Sequence, residues 1–204
     1  MSMLDIPDEN APPAHPNVMI IFGAGGDLAA RKLIPALFHL CHNHLLPDSF
    51  AVLGLDRLDL NDESFREHLI TQVRDHLGAA FNPEVWERLA QRIHYMQGNI
   101  DDPAMYLNLC ERLTRIDAER NTEGNYLFYL AVPPRLFGDI TRNLGAVDLT
   151  TETPDDWRRV IIEKPFGTDL ESAIALNETL HETLTERQIY RIDHYLGKET
   201  VQNI

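Results

Sequence analysis

Residues 191–199 read Arg-Ile-Asp-His-Tyr-Leu-Gly-Lys-Glu, the densest run of reactive side chains in the chain. His194, Tyr195 and Lys198 together offer hydrogen-bond donors and positive charge suited to a phosphate. Asp193 can orient an imidazole or another base. Such a mixture is costly to bury unless its charges are paired or hydrogen-bonded, which points to a ligand site. A β-type run at 188–192 leads into it and Gly197 supplies a turn. That is a strand end opening into a loop, where open α/β sheets bind their ligands.

A second set of residues could hold a nucleotide. Gly23-Ala24-Gly25-Gly26-Asp27 lies between a strand-like run and a helical pattern that begins at Leu28. Glycines there let the backbone approach a pyrophosphate, and the helix start presents amides to it. The generic dinucleotide pattern has a third glycine where this chain has Leu28, so pattern alone leaves a nucleotide loop and a plain tight turn both open. Asp27 reads as a helix cap. Asp56 and Arg57 follow the second strand, where an acid selects the 2′-hydroxyl of NAD and an arginine the 2′-phosphate of NADP; this chain offers both. Lys32, five residues past Asp27, either reaches back to phosphates or is a solvated helix lysine. Asp101 either borders an adenosine pocket or, with Asp102-Pro103, starts a helix. Lys164 precedes Pro165, which excludes helix at Lys164 and stiffens the loop; the sequence does not decide whether that peptide is cis.

These segments carry a resemblance. Gly23–Ala29, Leu130-Ala131-Val132-Pro133-Pro134, Glu163-Lys164-Pro165-Phe166-Gly167 and the 191–199 run resemble, in order, four motifs of the glucose-6-phosphate dehydrogenase family. The similarity spans residues 17–204. It implies that NADP is the coenzyme, with NAD as a secondary one. Gly23, Ala24, Gly25, Gly26, Asp27, Leu28, Lys32, Arg57, Asp101, Pro133 and Lys164 would then meet the coenzyme. It also implies that Lys164, His194, Tyr195 and Lys198 bind glucose 6-phosphate, and that Asp193 hydrogen-bonds the catalytic base, a histidine. The implied reaction is hydride transfer from C1 to the nicotinamide, giving 6-phosphogluconolactone, the first oxidative step of the pentose phosphate pathway. None of the nine histidines matches that base by motif, so the resemblance implies a base in a C-terminal substrate and dimerisation domain beyond Ile204. It further implies a fragment inactive alone and a homo-oligomer for the full-length enzyme. Two positions depart from the family pattern: Gly25 replaces a usual Ser or Thr, and Asp56 a usual small or neutral residue. A non-catalytic NAD(P)-binding regulatory module of the same fold is the alternative.

The elements that must position these residues alternate. Strands are expected at 17–22, 50–55, 93–97, 125–132, 158–163 and 188–192. Helices are expected at 28–45, 61–77, 83–91, 103–120, 136–144 and 170–185. Alternation of this kind predicts an α/β fold: a doubly wound, mostly parallel, Rossmann-like sheet with helices on both faces, formed by residues 17–204. Residues 1–16, with three acids and four prolines, read as a disordered lead-in.

Composition bounds the partners. At 44% hydrophobic and 25% charged the chain reads as globular, and no apolar run is long enough to span a bilayer. A formal net charge of −14 argues against nucleic acid and anionic membranes. The lead-in lacks signal-peptide features, and Cys41 and Cys110 sit in no metal-binding spacing. The expectation is a cytoplasmic protein with no metal, no nucleic acid and no membrane partner.

Overall fold

The computed structural model describes residues 14–193. Most of the lead-in, the His194, Tyr195 and Lys198 positions and the expected helix onset after them lie outside the described residues.

Six strands form one sheet: β1 (Asn17–Phe22), β2 (Phe50–Asp56), β3 (Ile93–Gln97), β4 (Tyr126–Leu130), β5 (Arg158–Glu163) and β6 (Ile189–Ile192). Their order is β3-β2-β1-β4-β5-β6 and every pairing is parallel. This is the doubly wound α/β arrangement that the alternation of elements predicts. Asn17-Val-Met-Ile-Ile-Phe22 is buried along its whole length because β1 lies at the centre with helices on both faces. Alternate side chains feed two cores. Val18, Ile20 and Phe22 pack with Leu109, Leu113, Phe137 and Ile140, whereas Met19 and Ile21 pack with Phe38, Phe65, Leu69 and Leu89.

The helices of the first face are α4 (Pro103–Arg120), α5 (Phe137–Ala146) and α6 (Leu170–His181); those of the second are α1 (Ile34–His42), α2 (Asp62–Leu77) and α3 (Pro83–Ala90). Their starts follow local chemistry. Asn61 caps α2 reciprocally with Ser64, and Asn82 and Asp102 cap helices that open on Pro83 and Pro103.

Several expected boundaries move, and three have a clear cause. The helix expected over 28–45 contains a π-helical turn, Ala29–Leu33, before α1, and Ile34 N–H donates to the Ala29 carbonyl. Pro35 explains it: proline has no N–H for the Arg31 carbonyl and its ring would collide with that carbonyl, so the turn widens. β4 is shorter than expected, because Pro133-Pro134 passes the chain into a 3₁₀ turn at Pro134–Leu136 before α5. α6 stops at His181, not 185. Thr183 donates sideways to the Thr141 carbonyl, and Thr185 closes a local box with Gln188 that starts the next turn.

Among the described residues no helix is long and apolar enough to cross a membrane, and no group of three His, Cys, Asp or Glu side chains is placed to hold a metal. Cys41 and Cys110 are both free thiols.

Candidate functional site

The strand order reverses between β1 and β4, so the loops after these two strands leave the sheet side by side and diverge to opposite faces. The crevice between them is the expected ligand position in such a sheet. The sequence at the crossing is restrictive. Gly23 has φ +80°, and a Cβ there would sit 2.5 Å from the Ala131 carbonyl oxygen and 3.0 Å from Val132 Cγ1. Only glycine supplies both the conformation and the close approach.

The amides of the glycine loop are taken up within the protein. Gly23 and Ala24 N–H donate to the Leu55 carbonyl at 2.9 and 3.2 Å, and Gly26 N–H donates to the Gly23 carbonyl at 3.0 Å. Gly25 N–H donates to Asp56 Oδ2 at 2.9 Å. What the loop can present to a phosphate is therefore chiefly the first turn of the helix behind it, whose amides lack i−4 partners by geometry. Asp27 does not cap that helix. Residues 27 and 28 already have helical backbone, no side chain caps the turn, and the Asp27 carboxylate instead lies 3.8 Å from Arg31 in an exposed pair. Leu28, in place of a third glycine, is half-buried against the second core.

A cleft of about 300 Å³ opens beside the loop, and Gly23, Gly26, Asp56, Arg57, Asp101 and Pro133 line it together with Asn99 and Arg135. Residues far apart in sequence thus converge from the ends of β1, β2, β3 and β4. Ala24, Gly25, Asp27, Leu28 and Lys32 form the loop and the start of the helix but do not line the cleft itself; Lys32 is exposed on the π-helical turn. The corner at β2 is well braced. The Tyr95 hydroxyl shares its one proton between the carbonyls of Leu58 at 2.7 Å and Asp56 at 3.1 Å. Burial, with Asp56 and Asp59 nearby, pushes its pKa up to about 12, so it stays a donor.

Below Tyr95 lies a partly buried anchor. The Asp62 carboxylate accepts from Tyr95 N–H at 2.7 Å and from Arg112 at 2.6 and 2.8 Å, with His94 Nδ1 at 3.5 Å. Burial alone would raise the Asp62 pKa. Hydrogen bonds from His94, the Tyr95 amide and Arg112 outweigh it and hold the carboxyl well below its usual range.

A second, more apolar cavity of about 540 Å³ adjoins the cleft, with Pro133 and Arg135 lining both; Pro165, Gly167, Ser172 and Leu176 form its far side. The Lys164–Pro165 peptide is cis. Lys164 follows β5 and Asp193 follows β6; Glu163 pairs with Ile192 in the parallel register, which brings the two strand ends together. Lys164 Nζ lies 2.6 Å from Asp193 Oδ2, with both side chains about half exposed. Just inside them the Tyr129 hydroxyl donates to the buried Glu163 carboxylate, tying the ends of β4 and β5. Burial first, then the Glu163 hydrogen bond and charge, raise the Tyr129 pKa far above the ordinary phenol value.

A third cavity, about 560 Å³, lies at the opposite end of the sheet around Asn125, Trp157, Arg159 and Tyr190. It is larger than the cleft but sits at the N-terminal strand ends and contacts neither the glycine loop nor Lys164. Volume alone is a poor guide here, and the position at the carboxyl ends of the strands decides for the cleft.

Sequence reasoning missed Arg135 and Asn99. A cation two residues after the Pro133 stop and a polar residue directly after Gly98 were the available signals. It also missed the brace from Tyr95, which no local pattern could have shown.

Comparison with known proteins bears directly on this geometry. The family model described as "Glucose-6-phosphate dehydrogenase, NAD binding domain" matches residues 20–203. The chain is 47% identical over 186 residues to a glucose-6-phosphate 1-dehydrogenase of Aggregatibacter actinomycetemcomitans, covering 91% of this chain and 37% of the relative. It is 43% identical over 191 residues to glucose-6-phosphate 1-dehydrogenase 2 of Mycobacterium tuberculosis, covering 94% of this chain and again 37% of the relative. Among solved structures it resembles a glucose-6-phosphate dehydrogenase in complex with its substrate glucose-6-phosphate. The TM-score is 0.80 at 36% identity, over 93% of this chain and 38% of that one. The chain thus spans well under half the length of the relatives it matches.

Proposed function

The chain belongs to the glucose-6-phosphate dehydrogenase family, and from that premise we propose that it is the coenzyme-binding part of an enzyme that oxidises C1 of glucose 6-phosphate with NADP, NAD serving as a secondary coenzyme. The observation that carries this reading is one junction. A cleft at the strand-order reversal, with Arg57 at its β2 corner, meets through Pro133 and Arg135 a second cavity walled by the loop that begins at Lys164.

The coenzyme, when bound, supplies the hydride acceptor. The first helical turn, which starts at Asp27 behind the glycines, receives its pyrophosphate, with Lys32 as a further cation for the phosphates. Arg57 offers its guanidinium to the 2′-phosphate, Asp101 borders the adenosine, and Pro133 shapes the nicotinamide end. Lys164 stands between the two ligands, holding the sugar near the nicotinamide. His194, Tyr195 and Lys198 take the sugar phosphate as donors and positive charge. Asp193 is a positioning residue: it orients the general-base histidine and favours its imidazolium form. That histidine has no motif-matched counterpart in this chain, so hydride transfer by these residues alone should be very slow or absent. The setting we propose is a cytoplasmic enzyme of glucose metabolism that works as a homo-oligomer, without metal, nucleic acid or membrane partner.

Calorimetric titration of the purified chain with NADP tests the proposal. Saturable binding that weakens on Arg57→Ala is expected, and reduction of NADP on adding glucose 6-phosphate should be at background level. Failure to bind either NADP or NAD would overturn the coenzyme assignment. Measurable turnover by the chain alone would overturn the placement of the base elsewhere.

A further inference from the structure

Asp56 is the last residue of β2, and two backbone amides grip its carboxylate. Oδ2 accepts from Gly25 N–H at 2.9 Å and Oδ1 from Arg57 N–H at 2.7 Å. A carboxylate held at both oxygens has one orientation, and each oxygen keeps a further lone pair for a ligand. Tyr95 fixes the backbone beneath it through the carbonyls of Asp56 and Leu58. The result is a rigid negative charge facing the same cleft as Gly23, Gly26 and Asp101.

Gly25 makes this arrangement fit. A Cβ at position 25 would lie 2.6 Å from Leu58 Cδ1 and 3.2 Å from both Asp56 Cγ and Asp56 Oδ2. The exposed end of Leu58 can move aside, but the gripped carboxylate has little freedom. The two departures from the family pattern, Gly25 and Asp56, are therefore in direct contact although 31 residues apart. Each explains the other: the missing side chain at 25 leaves the space and the free amide that Asp56 uses.

Resting on the reading of this cleft as the coenzyme site, we infer that Asp56, latched by Gly25, is the residue that sets coenzyme preference. Its carboxylate accepts from the ribose 2′-hydroxyl of NAD and opposes the 2′-phosphate of NADP, offsetting the attraction of Arg57 next to it. A hydroxyl gains a charged acceptor, whereas a phosphate dianion meets a like charge a few ångströms away. Wild-type affinities for NADP and NAD then fall within about tenfold of each other.

Direct titration of the 204-residue chain with each nucleotide, without any activity readout, tests this. Asp56→Asn removes the charge and keeps one oxygen for the Gly25 amide, giving up only the contact with Arg57 N–H. It should weaken NAD about tenfold and tighten NADP by about threefold or more. Asp56→Ala should move both in the same directions. Gly25→Ser, by displacing the carboxylate, should shift the NADP to NAD affinity ratio the same way without abolishing binding. A merely structural role for Asp56 predicts instead that both affinities fall together, and that result would overturn the inference while leaving the coenzyme site in place. If the wild-type chain binds neither nucleotide, the coenzyme site and this inference fall together.

Discussion

Lys164 Nζ and Asp193 Oδ2 lie 2.6 Å apart at the carboxyl ends of adjacent parallel strands, although 29 residues separate them in sequence. The register of β5 and β6 creates the pair, and its half-exposed setting limits what it adds to folding. A solvent-screened ion pair contributes about 0–1 kcal/mol. Urea unfolding of Lys164→Ala and Asp193→Ala should therefore show losses below about 1 kcal/mol each. A loss above about 2 kcal/mol from either would mean that the pair holds the fold instead of presenting charge to a ligand.

Arg57 is exposed at the β2 corner of the cleft, and the proposed function assigns its charge to the 2′-phosphate of NADP. Arg57→Ala should weaken NADP by about ten- to a hundredfold, the value of a charge-assisted contact, and leave NAD nearly unchanged. Equal weakening of the two nucleotides, measured by titration, would place Arg57 at the pyrophosphate instead.

Gly23 combines φ +80° with a Cβ site 2.5 Å from a backbone oxygen, so no side chain there escapes both penalties. Gly23→Ala should destabilise the chain by about 1–3 kcal/mol and push apart the loops after β1 and β4. Coenzyme affinity should fall further than stability does. An unchanged melting temperature together with unchanged nucleotide binding would contradict the close approach of Gly23 to Ala131.

Much of this was legible in the sequence, and the reasons are local. Asn17–Phe22 and Arg158–Glu163 announce strands through β-branched and apolar runs, and Asn61, Pro83 and Asp102-Pro103 announce helix starts through capping chemistry. Gly23–Asp27 could be placed between a strand and a helix for the same reason. What stayed hidden depends on distant neighbours. The latch from Gly25 to Asp56, the brace from Tyr95 and the pairing of Lys164 with Asp193 each join residues about 30 or more apart, so no window of sequence contains them. Asp27 illustrates the reverse error. Its type and position suited a cap, but the helix begins at the residue itself, and the Asp27 carboxylate turns outward to Arg31 and not to the first-turn amides.

Tyr95 serves the cleft from behind. Its hydroxyl holds two carbonyls at the β2 corner while its ring packs on Phe65 with centroids 4.5 Å apart. Tyr95→Phe keeps the ring and removes the donor. It should lower stability by about 1 kcal/mol and weaken nucleotide binding severalfold by loosening residues 56–58. Hydrogen exchange at those amides should quicken; no change there would show that Asp56 is held by its own two amide contacts alone.

Asp62 gives the acid limb of stability a specific origin. Its folded pKa lies below the ordinary 3.8, because His94, the Tyr95 amide and Arg112 stabilise the carboxylate more than burial opposes it. A depressed carboxyl contributes stability that is fully present above its unfolded pKa and is lost as pH falls through the folded value. The Asp62 contribution should thus be constant above about pH 5 and drain away below about pH 4. Asp62→Asn leaves Arg112 and His94 with a weaker partner, so at neutral pH it should lose about 2 kcal/mol by urea unfolding. Towards the lowest pH the two curves should converge, since the wild-type carboxyl is by then neutral as well. A constant gap between the curves from neutral to strongly acid conditions would show that Asp62 works through shape and not through its charge.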